Sequence, residues 1–216
     1  MQSPVHSAHV FPELSARTVS PAPTEPVTVS QAKDHCAVEG TAHDTKFATW
    51  ITAARLKVEH MTSRSILHSA YTLRHSSWWE VDAQGLYTRE LVLPKGPAIA
   101  ISEVRYRRAS DGAQTVLASD QYRLSVMTNG RSLFRAAYNV SFPALAGGRS
   151  FDNVEIDYTA GADANAPEAV DQRLRQAILL IVSHYFERRE STNWDIPDDV
   201  AGSVRGLTHQ LDLTPF

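Results

Sequence analysis

The sequence predicts an α+β fold, with helices from both ends of the chain packed into one core and an antiparallel β lobe inserted between them. Two stripes carry the helical half. Phe47, Trp50, Ile51, Ala54, Val58 and Met61 recur at helical spacing after Asp44, and Val170, Leu174, Ile178, Ile181 and Tyr185 do so late in the chain. Between them lie seven short segments rich in Val, Ile, Tyr and Leu and separated by turn residues, the pattern of antiparallel strands.

Taken in order, residues 1–26 hold Pro4, Pro12, Pro21, Pro23 and Pro26 among Ser, Ala and His, which predicts an extended arm, ordered only where a neighbour holds it. The arm lacks a basic stretch followed by an apolar one, so no secretory signal is expected there. Residues 27–206 form the main domain. Ser30 is a candidate cap for a helix over 30–38 that stops at Gly40, and Asp44 caps a second over 44–62. The β lobe covers about 69–160, with strands over 69–75, 89–93, 98–108, 114–118, 121–126, 131–134 and 153–159. Asp111-Gly112 and Asn129-Gly130 predict hairpins, because such turns need the positive φ that glycine adopts freely. Within 98–108 the apolar phase slips from odd positions, Ile99 and Ile101, to even ones, Val104 and Tyr106, which places a bulge near Ser102.

The helical period returns over 168–189, where Leu179, Leu180 and Val182 widen the stripe and predict cover on most sides. A short helix over 197–206 follows, with Pro197 in its first turn and Asp198 and Asp199 at its positive end. The tail, 207–216, carries Leu207, Leu211, Leu213 and Phe216 without apolar partners nearby in sequence. It is predicted to fold back or to dock on another protein.

A chain of 216 residues, 43% of them hydrophobic, can bury one main core. Its formal charge of -3, from 21 basic and 24 acidic residues, gives no global attraction to nucleic acid or anionic membrane. Cys36 has no second cysteine to pair with, which fits a reduced, cytoplasmic birthplace. The longest apolar run, Ala177 to Val182, is far short of the roughly 20 residues that span a bilayer.

Chemistry is sparse. His6 and His9 lack further ligands at metal-binding spacing. His184 and Glu187 reverse the order used in di-metal bundles, and a half-buried histidine beside a solvated glutamate is the simpler reading. His35 and Cys36 are adjacent and do not face each other on a helix, so Cys36 reads as a small buried apolar residue. Trp78-Trp79 with Glu80 has the makings of a stacking platform, although one core ring and one interface ring is the commoner fate. Arg105 and Arg107 share a strand face and, with Arg108, form a candidate ring or DNA contact, against the plain alternative of a solvated face. An enzyme built on His60, His68 and His75 would need a polar pocket that no motif announces. No nucleophile elbow, phosphate loop or dinucleotide fingerprint is present. No catalytic, metal or cofactor site is therefore expected.

Several stretches together resemble a known family. They are "EPVTVSQAKDHCAV", "FATWITAARLKVEHMTSRSIL" with its Ala-Ala-Arg, "YTLRHSSW", "LVLPKGPAIAISEVRYRRASDG" leading into the Asp-Gly turn, and "YTAGADANAPEAVDQRLRQAILLIVSHYFERRE". In this order, over roughly residues 25 to 190, they are similar to the head-tail connector, or adaptor, proteins of long-tailed bacteriophages and gene transfer agents. The chain departs from that pattern in a longer N-terminal arm, in Cys36 where the family commonly has Leu, and in a loosely matching tail. The resemblance implies a structural virion protein at the head-tail junction, a dodecameric ring beneath the portal that lets DNA pass. Its partners would be further copies of itself, the portal protein, the next neck component (a stopper or tail terminator) and the genomic DNA. Leu207, Leu211, Leu213 and Phe216 become candidate portal anchors. A DNA-binding packaging accessory using the three arginines is the alternative.

Overall fold

A computed structural model describes residues 13–17, 24–79, 90–147, 152–162, 169–188 and 197–213. The fold is α+β, with four α-helices and two antiparallel sheets among the described residues.

The first helix, α1 (Val29–His35), is capped two residues ahead of Ser30. Its cap is Thr28, whose hydroxyl accepts from the Gln31 N–H at 3.2 Å while Gln31 Oε1 accepts from the Thr28 N–H at 2.9 Å. This reciprocal pair satisfies two otherwise orphaned donors, which Ser30 could not do. The helix ends before Gly40, at Cys36, where Ala37 turns to positive φ. Lys33 then spans to Asp44 at 2.7 Å and fastens the start of α2 (Asp44–Thr62). Asp44 is the first helical residue rather than the cap, and its charge suits the positive helix end.

Helix α3 (Gln172–Glu187) carries the apolar stripe, with Leu174, Ala177, Ile178, Ile181, Val182 and Tyr185 buried. Asp171 caps it, accepting from the Arg173 N–H at 2.9 Å. The Arg173 guanidinium bonded to it holds the Asp171 carboxyl below the usual carboxylate range. A lowered folded pKa contributes stability that is present above the unfolded value of about 4 and is lost as pH falls through the folded one. Asp171→Ala is therefore expected to cost about 1 kcal/mol in urea unfolding at pH 7. The charge-dependent part of that difference should shrink on acidification below about pH 4.

Helix α4 (Asp198–Thr208) has Pro197 as its cap residue and runs past Gly206 because Val204 and Thr208 are buried against its neighbours. A 3-10 turn over His209–Leu211 follows. Val27, Ile66 and the buried faces of all four helices make one apolar cluster, in which Phe47 and Phe186 stack at 5.6 Å.

The five-stranded sheet has the order β1-β2-β8-β4-β5, from β1 (Glu13–Arg17), β2 (Ser69–His75), β8 (Val154–Ala160), β4 (Ala98–Arg107) and β5 (Gln114–Val116). The three-stranded sheet is β3-β7-β6, from β3 (Glu90–Leu93), β7 (Ser132–Ala136) and β6 (Tyr122–Val126). Leu73, Val104, Ile156 and Tyr158 of the larger sheet share a second apolar cluster with Leu91, Leu93 and Phe134 of the smaller. Asp111-Gly112 turns β4 into β5, and Asn129-Gly130 turns β6 into β7, with both glycines at positive φ. The register shifts at Ser102, between Ile101 and Glu103, and again between Ala98 and Ala100. The second shift was not legible in the phase, and it leaves Ile99 48% exposed.

The arm departs from expectation. Residues 13–17 lie between Pro12 and Pro21 and contain no proline, so their N–H groups are free to join a ladder. They pair along their whole length with β2 of the same chain, from Glu13 opposite Arg74 to Arg17 opposite Ala70.

Candidate interaction surfaces

Strand alternation sends polar residues of β1, β2, β8 and β4 to the sheet face opposite the apolar cluster. There Glu13, Arg74, Glu155 and Arg105 stand opposite one another on successive strands, alternating in sign. Arg74 Nε lies 2.7 Å from Glu155 Oε1, and Arg105 reaches Asp157 Oδ2 at 2.8 Å and Glu155 Oε2 at 3.4 Å. Gln114 Nε2 donates to Glu155 Oε2 at 2.8 Å, and the Thr72 hydroxyl donates to Asp157. The hydrogen bond that Arg74 donates to Glu155, more than the Glu155 charge alone, raises the Arg74 pKa. Asp157 is only 4% exposed, so Thr72 and Arg105 supply hydrogen bonds that water would otherwise make.

The predicted basic cluster is thus brought together but already matched. Arg105 faces three carboxylates, counting Glu103 at 3.5 Å; Arg107 pairs with Asp152; Arg108 pairs with Asp111 at 2.7 Å. A phosphate at this face would have to compete with carboxylates held in place. Asp152, Glu155 and Asp157 come from a segment about 50 residues further along, so the sequence around the arginines gave no hint of them.

The tail folds back. Leu211 is 9% exposed within the helical core, and the Leu213 N–H donates to the Thr62 carbonyl at 3.0 Å. Leu207 is half-buried on α4, and Phe216 lies outside the described residues. Leu211 is therefore an internal packing residue here rather than a free anchor.

What holds the tail is Arg64, a residue the sequence did not single out. It follows Ser63, which ends α2 at positive φ, and it is 7% exposed. Its Nε donates to the Leu211 carbonyl and a terminal nitrogen donates to the Asn129 carbonyl. Gly130 lies so close that an added Cβ would sit 2.6 Å from that guanidinium. Burial pushes the Arg64 pKa down, with the Asp171 and Asp212 carboxylates opposing. One cation thus joins the end of α2, the tail and the β6–β7 hairpin.

Trp78 is buried, stacked on Phe142 at 4.5 Å with its indole N–H donating to the Pro143 carbonyl at 2.8 Å, whereas Trp79 stays half-buried. Trp79, Glu90, Arg135, Tyr138 and Phe142 line an open cleft of about 1120 Å³. Glu80, His6 and His9 lie outside the described residues. His184 is buried on α3 with Glu187 exposed one turn on, and Cys36 is half-buried against the helical core. His60, His68 and His75 sit on α2, in the connector after it and at the end of β2. Among the described residues, no group of three His, Cys, Asp or Glu is placed to hold a metal, and no helix is long and apolar enough to cross a membrane.

No protein-family model matches the chain, and no curated protein matches it significantly. Solved structures share its fold. It is similar to a chain in the neck of an empty gene transfer agent particle computed with C6 symmetry, at TM-score 0.68 and 21% identity over 94% of this chain and 97% of that one. It is also similar to a chain of the virion of a native gene transfer agent particle and to one in the neck of a native particle computed with C12 symmetry. Each gives TM-score 0.67 and 22% identity over the same shares of both chains.

Proposed function

We propose that the chain is a structural subunit of the neck of a phage-like particle, a head-tail connector that forms a ring beneath the portal and passes DNA. The observation that carries this reading is the likeness in fold, over nearly the full length of both chains, to neck chains of gene transfer agent particles. The C12 symmetry of one of those necks supports a ring of twelve copies. The charged sheet face supports it too: a surface whose cations are already paired grips phosphate weakly, which suits a conduit.

The portal contact is assigned to the surface around the tail. Because Leu211 is part of the core, the candidate anchors narrow to the half-buried Leu207 and Leu213, together with Phe216, which lies outside the described residues. Native mass spectrometry of the protein mixed with the portal protein of the same genome tests the reading. A complex with about one copy per portal subunit is expected, and removal of residues 214–216 should weaken it while leaving the helical core folded. A folded protein with no portal association, but with duplex affinity that falls steeply with salt, would favour the packaging accessory instead.

A further inference from the structure

Strand β1 is an edge strand, laddered to β2 alone. Among its described side chains, Leu14 is half-buried against the sheet core, Glu13 lies 3.7 Å from Arg74, and the Ser15 hydroxyl donates to the Thr72 carbonyl at 3.4 Å, so none of these three is a strong anchor. The body of the protein resumes near Glu25, bonded to Arg55 at 2.8 Å, and at Pro26 and Val27, both buried. From Arg17 to Thr24 the intervening sequence is "TVSPAP", and seven residue steps can span at most about 25 Å. Strand β2, in contrast, is paired with β8 over all seven residues and buries Tyr71 and Leu73.

We propose that β1 is an exchangeable strand: in the assembled ring, residues 13–17 of one copy add to β2 of the next, in the register they adopt here within one chain. This rests on the ring reading above. Every copy carries the same arm and the same β2 edge, so the contacts are unchanged by exchange and only the tether is redirected. A neighbour fixed at short range supplies a high effective concentration of the arm. The contact is heterologous, arm to edge, so repeated around a closed ring it leaves no β2 uncovered. A bare β2 would present a row of unpaired N–H and C=O groups, which strand addition satisfies with a defined direction and register.

The test uses a Cys36→Ser background, with Glu13→Cys in a size-tagged chain and Arg74→Cys in an untagged one. The two are mixed under assembly conditions and treated with a short bis-maleimide. A tagged–untagged product is expected, abundant relative to a control lacking one of the two cysteines, because within one chain neither cysteine has its partner. No product above that control overturns the exchange. Native mass spectrometry of the same sample reads ring formation separately. Product without rings upholds exchange and sinks the ring reading, whereas rings without product do the reverse.

Discussion

Replacing Gly161 with alanine is expected to destabilise the protein by about 3–5 kcal/mol, the range of strained backbone and overpacking combined. Gly161 sits at φ +102, just after β8, where its N–H donates to the Pro97 carbonyl at 3.0 Å and the next N–H donates to the Ile66 carbonyl. An added Cβ would lie 2.1 Å from the Leu67 carbonyl oxygen and 2.6 Å from its carbon. Both obstacles are backbone, so no side-chain rotation relieves them. Movement of Leu67 would pull on Ser69, opposite Ala160, and so on the β2–β8 ladder. Thermal unfolding should show a fall in Tm of about 10 °C. Gly202→Ala is the matched control: it lies in α4 with open space around it, and alanine there should be neutral or stabilising by up to about 1 kcal/mol. Equal effects at the two sites would refute the close-approach argument.

Arg64→Met should cost about 2–4 kcal/mol, because it keeps much of the apolar stem but leaves the Leu211 and Asn129 carbonyls without their donor. Hydrogen exchange should locate the loss. The Leu213 amide, bonded to Thr62, is expected to lose protection before the amides of α3 do. Arg64→Lys retains the charge but not a fork able to reach two carbonyls on separate segments, so it should recover only part of the loss. A Leu213 amide as protected in Arg64→Met as in the parent would show that Leu211 packing alone holds the tail.

These two residues also mark where the sequence stops being informative. The Asp111-Gly112 and Asn129-Gly130 turns and the Ser102 bulge were legible because their physics is local: a φ preference or a break in alternation. Thr28 was legible in principle, since Gln31 stands three residues on, the capping-box spacing, whereas Ser30 has Lys33 there. Arg64 and Gly161 were not legible. What makes each necessary is a segment remote in sequence, Leu211 and Asn129 for one and Leu67 for the other. The same holds for the arginines of β4, whose pairing is set by β8, and for the tail, too short to show a period of its own. The arm's five proline-free residues were overshadowed by the prolines around them.

The Arg64 junction has a mechanical consequence. A pull on the residues past Leu213 meets the Thr62 backbone bond and the Arg64 guanidinium first, and through them is divided between the end of α2 and the β6–β7 hairpin. Strain arriving at the C-terminus is thereby spread over a helix and a sheet at once, so the tail can be tugged without either layer carrying the whole load.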